Sequence, residues 1–384
     1  MYKMYQFSAP MPYTIEHINK LLDINKQIEK SKIRTLYFAL PSNCSDCTGF
    51  EQSRFITRNN TDFNYWKQLI LHSCNKGFEF IYLLNSPKIY NPENDNINER
   101  LEKLDSLLNK LLNIGCNKVR VCNPQLIEYL NKNYSNFELY LSTSSEMKTI
   151  NEYSNLFFMF KNIKEFVPAF DLNKNFKFLK NAKNKFKNIN IEIMINEGCI
   201  PNCPIRNSHN LFITEFKNKP NNKNIFNIDF FVQKCNQILC KNEFEYLCKC
   251  NIIYPWEIEK YSQIGINKFK FVGRNTDIFS TGEYLEYYYA YLKGIDNINN
   301  IKKLPLRYFN NYICTNKNIT FSVDEIKKYL PNIKHFQKYG HLCASQCGVK
   351  CRYCYKCAKK VQKAFWKKQK ELQKRNVPFC AIKK

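Results

Sequence analysis

In INERLEKLDSLLNKLLNIGCNKVRVC (97–122) the first nineteen residues carry apolar side chains at three- and four-residue steps, and the last five alternate as a strand does. A second short apolar run, FEFIYLL (78–84), lies just upstream. Strand, helix and strand in that order form one crossover unit, in which the two strands run parallel and the helix covers one face.

The same alternation extends in both directions. Short apolar or alternating runs predict strands at MYQFSA (4–9), RTLYFAL (34–40), FEFIYLL (78–84), KVRVC (118–122), FELYLS (137–142), LFFMF (156–160), NIEIMI (190–195) and KFKFVG (268–273). Amphipathic stretches such as IEHINKLLDINKQIEK (15–30) and NKNFKFLKNAKNKF (173–186) lie between them. Eight strand–helix units over residues 1–295 predict a (β/α)8 TIM-like barrel of the α/β class. Chemistry in such barrels sits at the carboxyl ends of the strands. Those ends fall at Ser8, Pro41, Asn85, Asn123, Ser142, Thr143, Asn196, Glu197, Cys199, Gly273 and Arg274.

Two segments exceed the barrel pattern. Residues 200–265 are too long for a plain crossover and are expected to fold over the barrel mouth as a cysteine-bearing insertion. Residues 296–384 form a C-terminal extension with a second cysteine group and a basic helix at AKKVQKAFWKKQKELQKR (358–375). No internal repeat is visible.

Composition limits the function classes. The chain has 384 residues, 44% hydrophobic and 24% charged, enough for a large core. No run of eighteen apolar residues offers a membrane span. The start, MYKMYQFSAPMPYTIEHINK, lacks a basic flank leading into an apolar segment and a cleavage site, so a cytoplasmic location is expected. Lys and Arg total 59 against 33 Asp and Glu, a formal charge of +26 that suits a polyanion such as tRNA or another RNA. Lys and Asn are also spread through every segment, as codon bias produces.

Eighteen cysteines in a reducing compartment point to metal rather than disulfides. Cys199-Ile-Pro-Asn-Cys203 follows the seventh strand, and a CxxxC loop can place two thiolates on one metal centre. Cys235, with Cys250 or Cys248, supplies further thiolates, Cys240 being the other candidate. Four of them suit an iron–sulfur cluster or a structural zinc. The second group is Cys343-x3-Cys347-x3-Cys351-x2-Cys354-x2-Cys357, preceded by His341. Cys343, Cys347, Cys351 and Cys354 are the expected ligands of a second cluster or a zinc, which spacing does not separate. Cys347–Cys354 also satisfies the CxxxCxxC pattern of radical S-adenosylmethionine enzymes. Those enzymes carry it after their first barrel strand, and here it stands thirty residues from the end.

IMINEGCIPNCP (193–204), followed by PWEIEKYSQIGINKFKFVGR (255–274), resembles the collagenase-like peptidase U-32 family, which pairs a cysteine-bearing strand end with a later strand ending in Gly-Arg. GFEFIYLLNSP (77–87) and GCNKVRVCNPQLIEYL (115–130) are similar to that family's early barrel segments. The resemblance covers residues 1 to about 295. It implies a [4Fe–4S] cluster held by four cysteines, with Cys199 and Cys203 among them. It also implies oxygen-independent hydroxylation of tRNA, ribosomal RNA or ubiquinone precursors, with prephenate implicated for RNA targets. The family's usual stretch has a His-Gly lead and a second cysteine seven residues on. This chain has Asn196-Glu197-Gly198 and CxxxC instead.

Two candidate catalytic residues remain. Glu197 can serve as a general acid or base, or can cap the loop. Arg274 can grip the carboxylate of an anionic small molecule, or form a structural ion pair. His209 is a candidate neighbour of the metal site or a surface side chain. No Ser-His-Asp set, zinc-protease helix or phosphate-binding glycine loop occurs, so peptidase activity has no visible nucleophile except the thiols. An enzyme of oxygen-independent modification therefore competes with a non-catalytic RNA-binding, partner-binding or electron-carrying protein.

Overall fold

A computed structural model describes residues 4–41, 44–51, 62–88, 96–197, 199, 202–216, 231, 234, 248, 252–273, 282–297, 327–343 and 350–374, with the side chains of 213–216 and of several positions past 364 left aside. Strands β1 (Tyr5–Pro10), β2 (Ser31–Phe38), β3 (Glu79–Leu84), β4 (Lys118–Val121), β5 (Glu138–Leu141), β6 (Ile163–Phe166), β7 (Asn190–Met194) and β8 (Lys268–Lys270) close into a barrel in chain order. Every neighbouring pair is parallel, including β8 with β1. The expected TIM barrel is the fold.

Helices α1 (Ile15–Gln27), α2 (Phe63–Cys74), α3 (Ile97–Asn113), α4 (Pro124–Asn133), α5 (Ile150–Met159), α6 (Phe176–Lys185) and α7 (Arg206–Phe216) follow successive strands. In α3 the Asn96 side chain accepts the amides of Asn98 and Glu99, and Leu104, Leu107, Leu108 and Leu111 are buried on one face. Each such leucine contributes about 1.5–3 kcal/mol of burial. They pack with Phe80, Tyr82, Val119 and Val121, the outward residues of β3 and β4. The inward residues Tyr37, Ala39, Ile81, Leu83 and Tyr140 form a separate cluster inside the barrel.

The lower interior is charged. Arg120 lies 2.7 Å from Glu165 and 2.6 Å from Glu192, Lys268 lies 2.7 Å from Glu165, and the Ser8 hydroxyl donates to Glu192 at 2.6 Å. Burial and the neighbouring Glu192 push the Glu165 carboxyl up. Burial acts on Glu192 in the same direction, but Arg120 and Lys270 outweigh it and hold that carboxyl down. Removing Arg120 alone would leave Glu165 to Lys268 and Glu192 to Ser8 and Lys270, and losing the shared guanidinium from this buried network would cost about 3–5 kcal/mol.

One expected strand is corrected. LFFMF (156–160) is not β6 but the end of α5, with Phe158 80% and Met159 65% exposed. The helix is started by a capping box, in which Thr149 accepts the Glu152 amide and Glu152 accepts the Thr149 amide. A short apolar run cannot by itself distinguish a helix end from a strand. The true β6, Ile-Lys-Glu-Phe, hides its strand character because its inward position is Glu165, charged to meet Arg120 and Lys268.

The C-terminal extension docks on the barrel. Its helix Ile333–Tyr339 and the turn Gly340–Leu342 pack at the start of α6. Gly340 approaches so closely that a Cβ there would overlap the Lys174 carbonyl oxygen. Lys174 forms a buried ion pair with Glu257 at 2.9 Å, and its ammonium lies 4.7 Å from the Phe336 ring centroid. The basic helix spans Tyr353–Lys374, beginning before the expected position, and its Ala358 and Val361 are buried. Among the described residues no helix is long and apolar enough to cross a membrane.

Candidate site at the barrel mouth

Beyond β7 the chain is steered by its own polar side chains. Asn196 donates to the Val272 carbonyl at 2.9 Å and accepts the Val272 amide at 2.8 Å, so a side chain extends the β7–β8 pairing by one step. Glu197 then accepts the Cys199 amide at 3.0 Å. This contact satisfies the loop-capping alternative for Glu197. Asn202 takes a left-handed backbone conformation with φ of 53°, which turns the loop toward α7.

Asp171, wholly buried in the short turn Phe170–Leu172 after β6, holds that loop from below. It accepts the Asn202 amide at 2.9 Å and the two terminal nitrogens of Arg206 at 2.9 and 3.2 Å. The Arg206 guanidinium also lies 4.0 Å from the Phe170 ring centroid. Glu146 and Lys148 each approach to 3.5 Å at the edge of the pair. Burial acts to raise the Asp171 carboxyl, but the Arg206 hydrogen bonds outweigh it and hold it below its ordinary value. Burial also lifts Glu146, aided by the like charge of Asp171.

Val167, Phe170 and Met194 form an apolar floor at the mouth, with Cys199 and Val272 packed against it. Deeper, Lys270 stands in register with Met194, its ammonium 4.1 Å from the Tyr37 ring centroid. Cys199 and Cys203 are both half-buried and lie on the same anchored loop. Cys199 rests against the apolar floor and Cys203 lies on the same loop, and both thiols are of the donor type that a thiolate-bound metal centre uses. They fit an iron–sulfur cluster or a zinc equally in donor type.

The other expected site residues are distributed as follows. Cys235, Cys250, Cys347 and Arg274 lie outside the described residues, as does Cys240. Cys248 is buried in the main core. The Asn202 side chain donates to the Cys343 carbonyl at 2.6 Å, which brings the first cysteine of the C-terminal group against the barrel loop. Cys351 and Cys354 stand at the start of the terminal helix. His209 lies on α7, its ring stacked on Phe231 at 5.0 Å, and His341 is exposed in the turn Gly340–Leu342. Among the described residues no three His, Cys, Asp or Glu side chains are grouped to hold a metal ion.

Asp171, Asn202 and Arg206 carry no sequence signal of their roles. Asp171 is 31 positions from Asn202 and 35 from Arg206, so no local spacing links them. The one available sign is that Asp171 follows a barrel strand, and the hydrophobic pattern puts that strand too early in the chain.

The sequence is similar to an uncharacterized protease, MJ1657, of Methanocaldococcus jannaschii, at 22% identity over 277 residues, 69% of this chain and 74% of that protein. No family model matches. Among solved structures, the U32 peptidase Mk0906 aligns at a TM-score of 0.47 with 10% identity, covering 71% of this chain and 94% of that one. The N-acetylneuraminate lyase of Fusobacterium nucleatum aligns at 0.38 with 11% identity, covering 95% and 99%.

Proposed function

We propose that the chain is a U32-like member of the collagenase-like peptidase relatives and, on that reading, an iron–sulfur barrel enzyme of oxygen-independent, hydroxylation-type modification; its similarity to an uncharacterized protease over 277 residues supports the relationship. The observation that carries this reading is the Cys199–Cys203 loop, pinned by Asp171 and Arg206 above the apolar floor of the barrel mouth. Cys199 and Cys203 would hold one edge of a [4Fe–4S] cluster, and Cys235 and Cys250 are proposed to complete it. Such a cluster, when bound, supplies one-electron chemistry at a potential set by its hydrogen bonds and burial.

The protein's own residues would then perform three tasks. Glu197 and Asn196 fix the loop so that its thiols need little reorganisation. Val167, Phe170, Met194 and Val272 present a dry surface against which an apolar substrate portion can rest. Lys270, at the end of β8, and Arg274, which lies outside the described residues, are proposed to receive an anionic substrate, either a carboxylate-bearing small molecule or the phosphate backbone of an RNA.

Anaerobic incubation of the protein with total RNA, prephenate and an added two-electron acceptor, followed by mass analysis of the nucleosides, tests the reading. A nucleoside that gains one oxygen atom with the wild-type protein, and not with Cys203→Ser, supports it. Cleavage of unstructured peptides, retained in Cys203→Ser and without RNA change, would contradict it and favour peptide hydrolysis.

A further inference from the structure

The loop that follows β2 holds a cysteine pair that the barrel-mouth site does not use, in the stretch Cys44-Ser-Asp-Cys47-Thr-Gly-Phe-Glu51. The Cys44 amide donates to the Pro41 carbonyl at 2.9 Å, and the Cys47 amide donates to the Cys44 carbonyl at 3.0 Å. The second bond closes a four-residue turn, which brings its end Cα atoms within about 7 Å of each other. A disulfide spans Cα atoms about 4.4–6.8 Å apart, so the turn sets the two cysteines in that range. Cys44 is buried and Cys47 half-buried, and both are thiols.

The Cys47 thiol meets a buried carboxylate. Its sulfur donates to Glu51 Oε2 at 3.3 Å, and Glu51 also accepts the Thr48 amide at 3.2 Å, the Thr48 hydroxyl at 3.0 Å and the Tyr82 hydroxyl. Burial, with Glu51 beside it, holds the Tyr82 phenol well above its ordinary value, so it remains a donor. Lys110 pairs with Asp46, and the Ser86 amide donates to the Phe50 carbonyl at 3.0 Å, which fastens the loop on both sides of the pair. A carboxylate fixed in this way against the more exposed of two cysteines has the position of a proton acceptor for that thiol. Burial, helped by the carboxylates of Asp46, Glu51 and Asp62, pushes the Cys44 thiol up, so Cys44 reacts after Cys47 and not before it. A CxxC pair either holds a metal or cycles between dithiol and disulfide. Among the described residues no third His, Cys, Asp or Glu is grouped with this pair to hold a metal ion, which favours the second use.

We propose that Cys44 and Cys47 form a redox-active dithiol that exchanges with a small-molecule disulfide, with Glu51 as the base that takes the Cys47 proton. The Cys47 sulfur attacks one sulfur of the small disulfide. A mixed disulfide forms, the small molecule's own S–S bond breaks, and its departing thiolate takes up the proton held by Glu51. The Cys44 sulfur then attacks the Cys47 sulfur, the Cys44–Cys47 bond forms, and the second small thiolate leaves with the Cys44 proton. The two cysteines lose two electrons and two protons, and the small disulfide gains them to become two thiols. This site goes beyond the reading of the barrel mouth and does not depend on it, so each can fail separately.

The test uses the full chain, purified anaerobically, equilibrated with glutathione and glutathione disulfide at a series of ratios, quenched in acid, alkylated after unfolding and mapped by mass. Cys44 and Cys47 should pass together from two thiols to one internal disulfide with a two-electron dependence on the ratio, in the wild type and in Cys203→Ser alike. Cys44→Ser should accumulate glutathione on Cys47, whereas Cys47→Ser should leave the buried Cys44 a thiol. Glu51→Gln should slow the oxidation by about tenfold or more. Both cysteines remaining thiols in glutathione disulfide alone, or glutathione stopping on Cys47 in the wild type, would overturn the pair. A zinc or iron ion held by the wild type and lost in Cys44→Ser would overturn it equally. Unchanged or faster oxidation in Glu51→Gln would overturn the part given to Glu51.

Discussion

The side-chain amide of Asn202 donates to the main-chain carbonyl of Cys343 at 2.6 Å, joining two segments that lie 141 positions apart. The same Asn202 gives its backbone amide to Asp171. One residue thus connects the barrel's buried anchor, its cysteine loop and the C-terminal extension. The main chain at Cys343, the first cysteine of the C-terminal group, is thereby held against the loop that carries Cys203.

Docking of the extension should be sensitive to a single methyl group. Gly340→Ala would drive a Cβ into the Lys174 carbonyl oxygen, so the turn must lift away. The expected cost is about 1–3 kcal/mol, with faster amide exchange in both the Ile333–Tyr339 helix and the start of α6. His341→Ala, one residue on and exposed, should leave both unchanged. Equal exchange in the two variants would show that the close approach carries no stability.

The Asp171 anchor should show a defined pH response. Because its folded carboxyl lies below the ordinary value, its stabilising contribution is present above about pH 4 and is lost as pH falls through the folded value. Asp171→Asn keeps the shape but leaves Arg206 buried without its counter-charge, which should cost about 3–5 kcal/mol near neutrality. Denaturant unfolding of both proteins across pH checks this. The gap between them should narrow in acid. A gap of constant size from about pH 3 to about pH 7 would mean that the carboxylate charge is not what holds the loop.

Most of the barrel is legible in the sequence because its strands keep outward apolar residues in short runs and its helices keep a full apolar stripe. KVRVC (118–122) and FELYLS (137–142) each agree with β4 and β5 to within a residue. The failure at β6 has the opposite cause. Glu165 faces the interior, so the polar position that usually marks the solvent side there marks the core. The mouth can be located from the strand ends, and Cys199 stands at it, against the apolar floor. Asp171 is not recoverable in this way. It acts on partners that only the closed barrel brings near.

The basic helix offers a test of the RNA proposal. Between residues 358 and 375 there are eight Lys or Arg and a single Glu371. Lys360, Lys363 and Lys367 are exposed. Changing Lys360, Lys363, Lys367, Lys368 and Lys374 to Gln should weaken binding of a tRNA-sized RNA and flatten its salt dependence, by about 0.7 to 0.9 in log–log slope for each phosphate no longer neutralised. Metal content should not change. Identical RNA binding by both proteins across salt would remove this helix from recognition and favour a small-molecule substrate.

Iron and acid-labile sulfide, measured with the visible spectrum on anaerobically purified wild type and Cys203→Ser, bear most directly on the iron–sulfur reading of the barrel mouth. The wild type should contain a cluster's iron and sulfide with broad visible absorption, and Cys203→Ser should lose most of both while keeping its fold. The same iron, sulfide and spectrum in the two proteins would contradict the assignment, as would zinc in place of iron in the wild type.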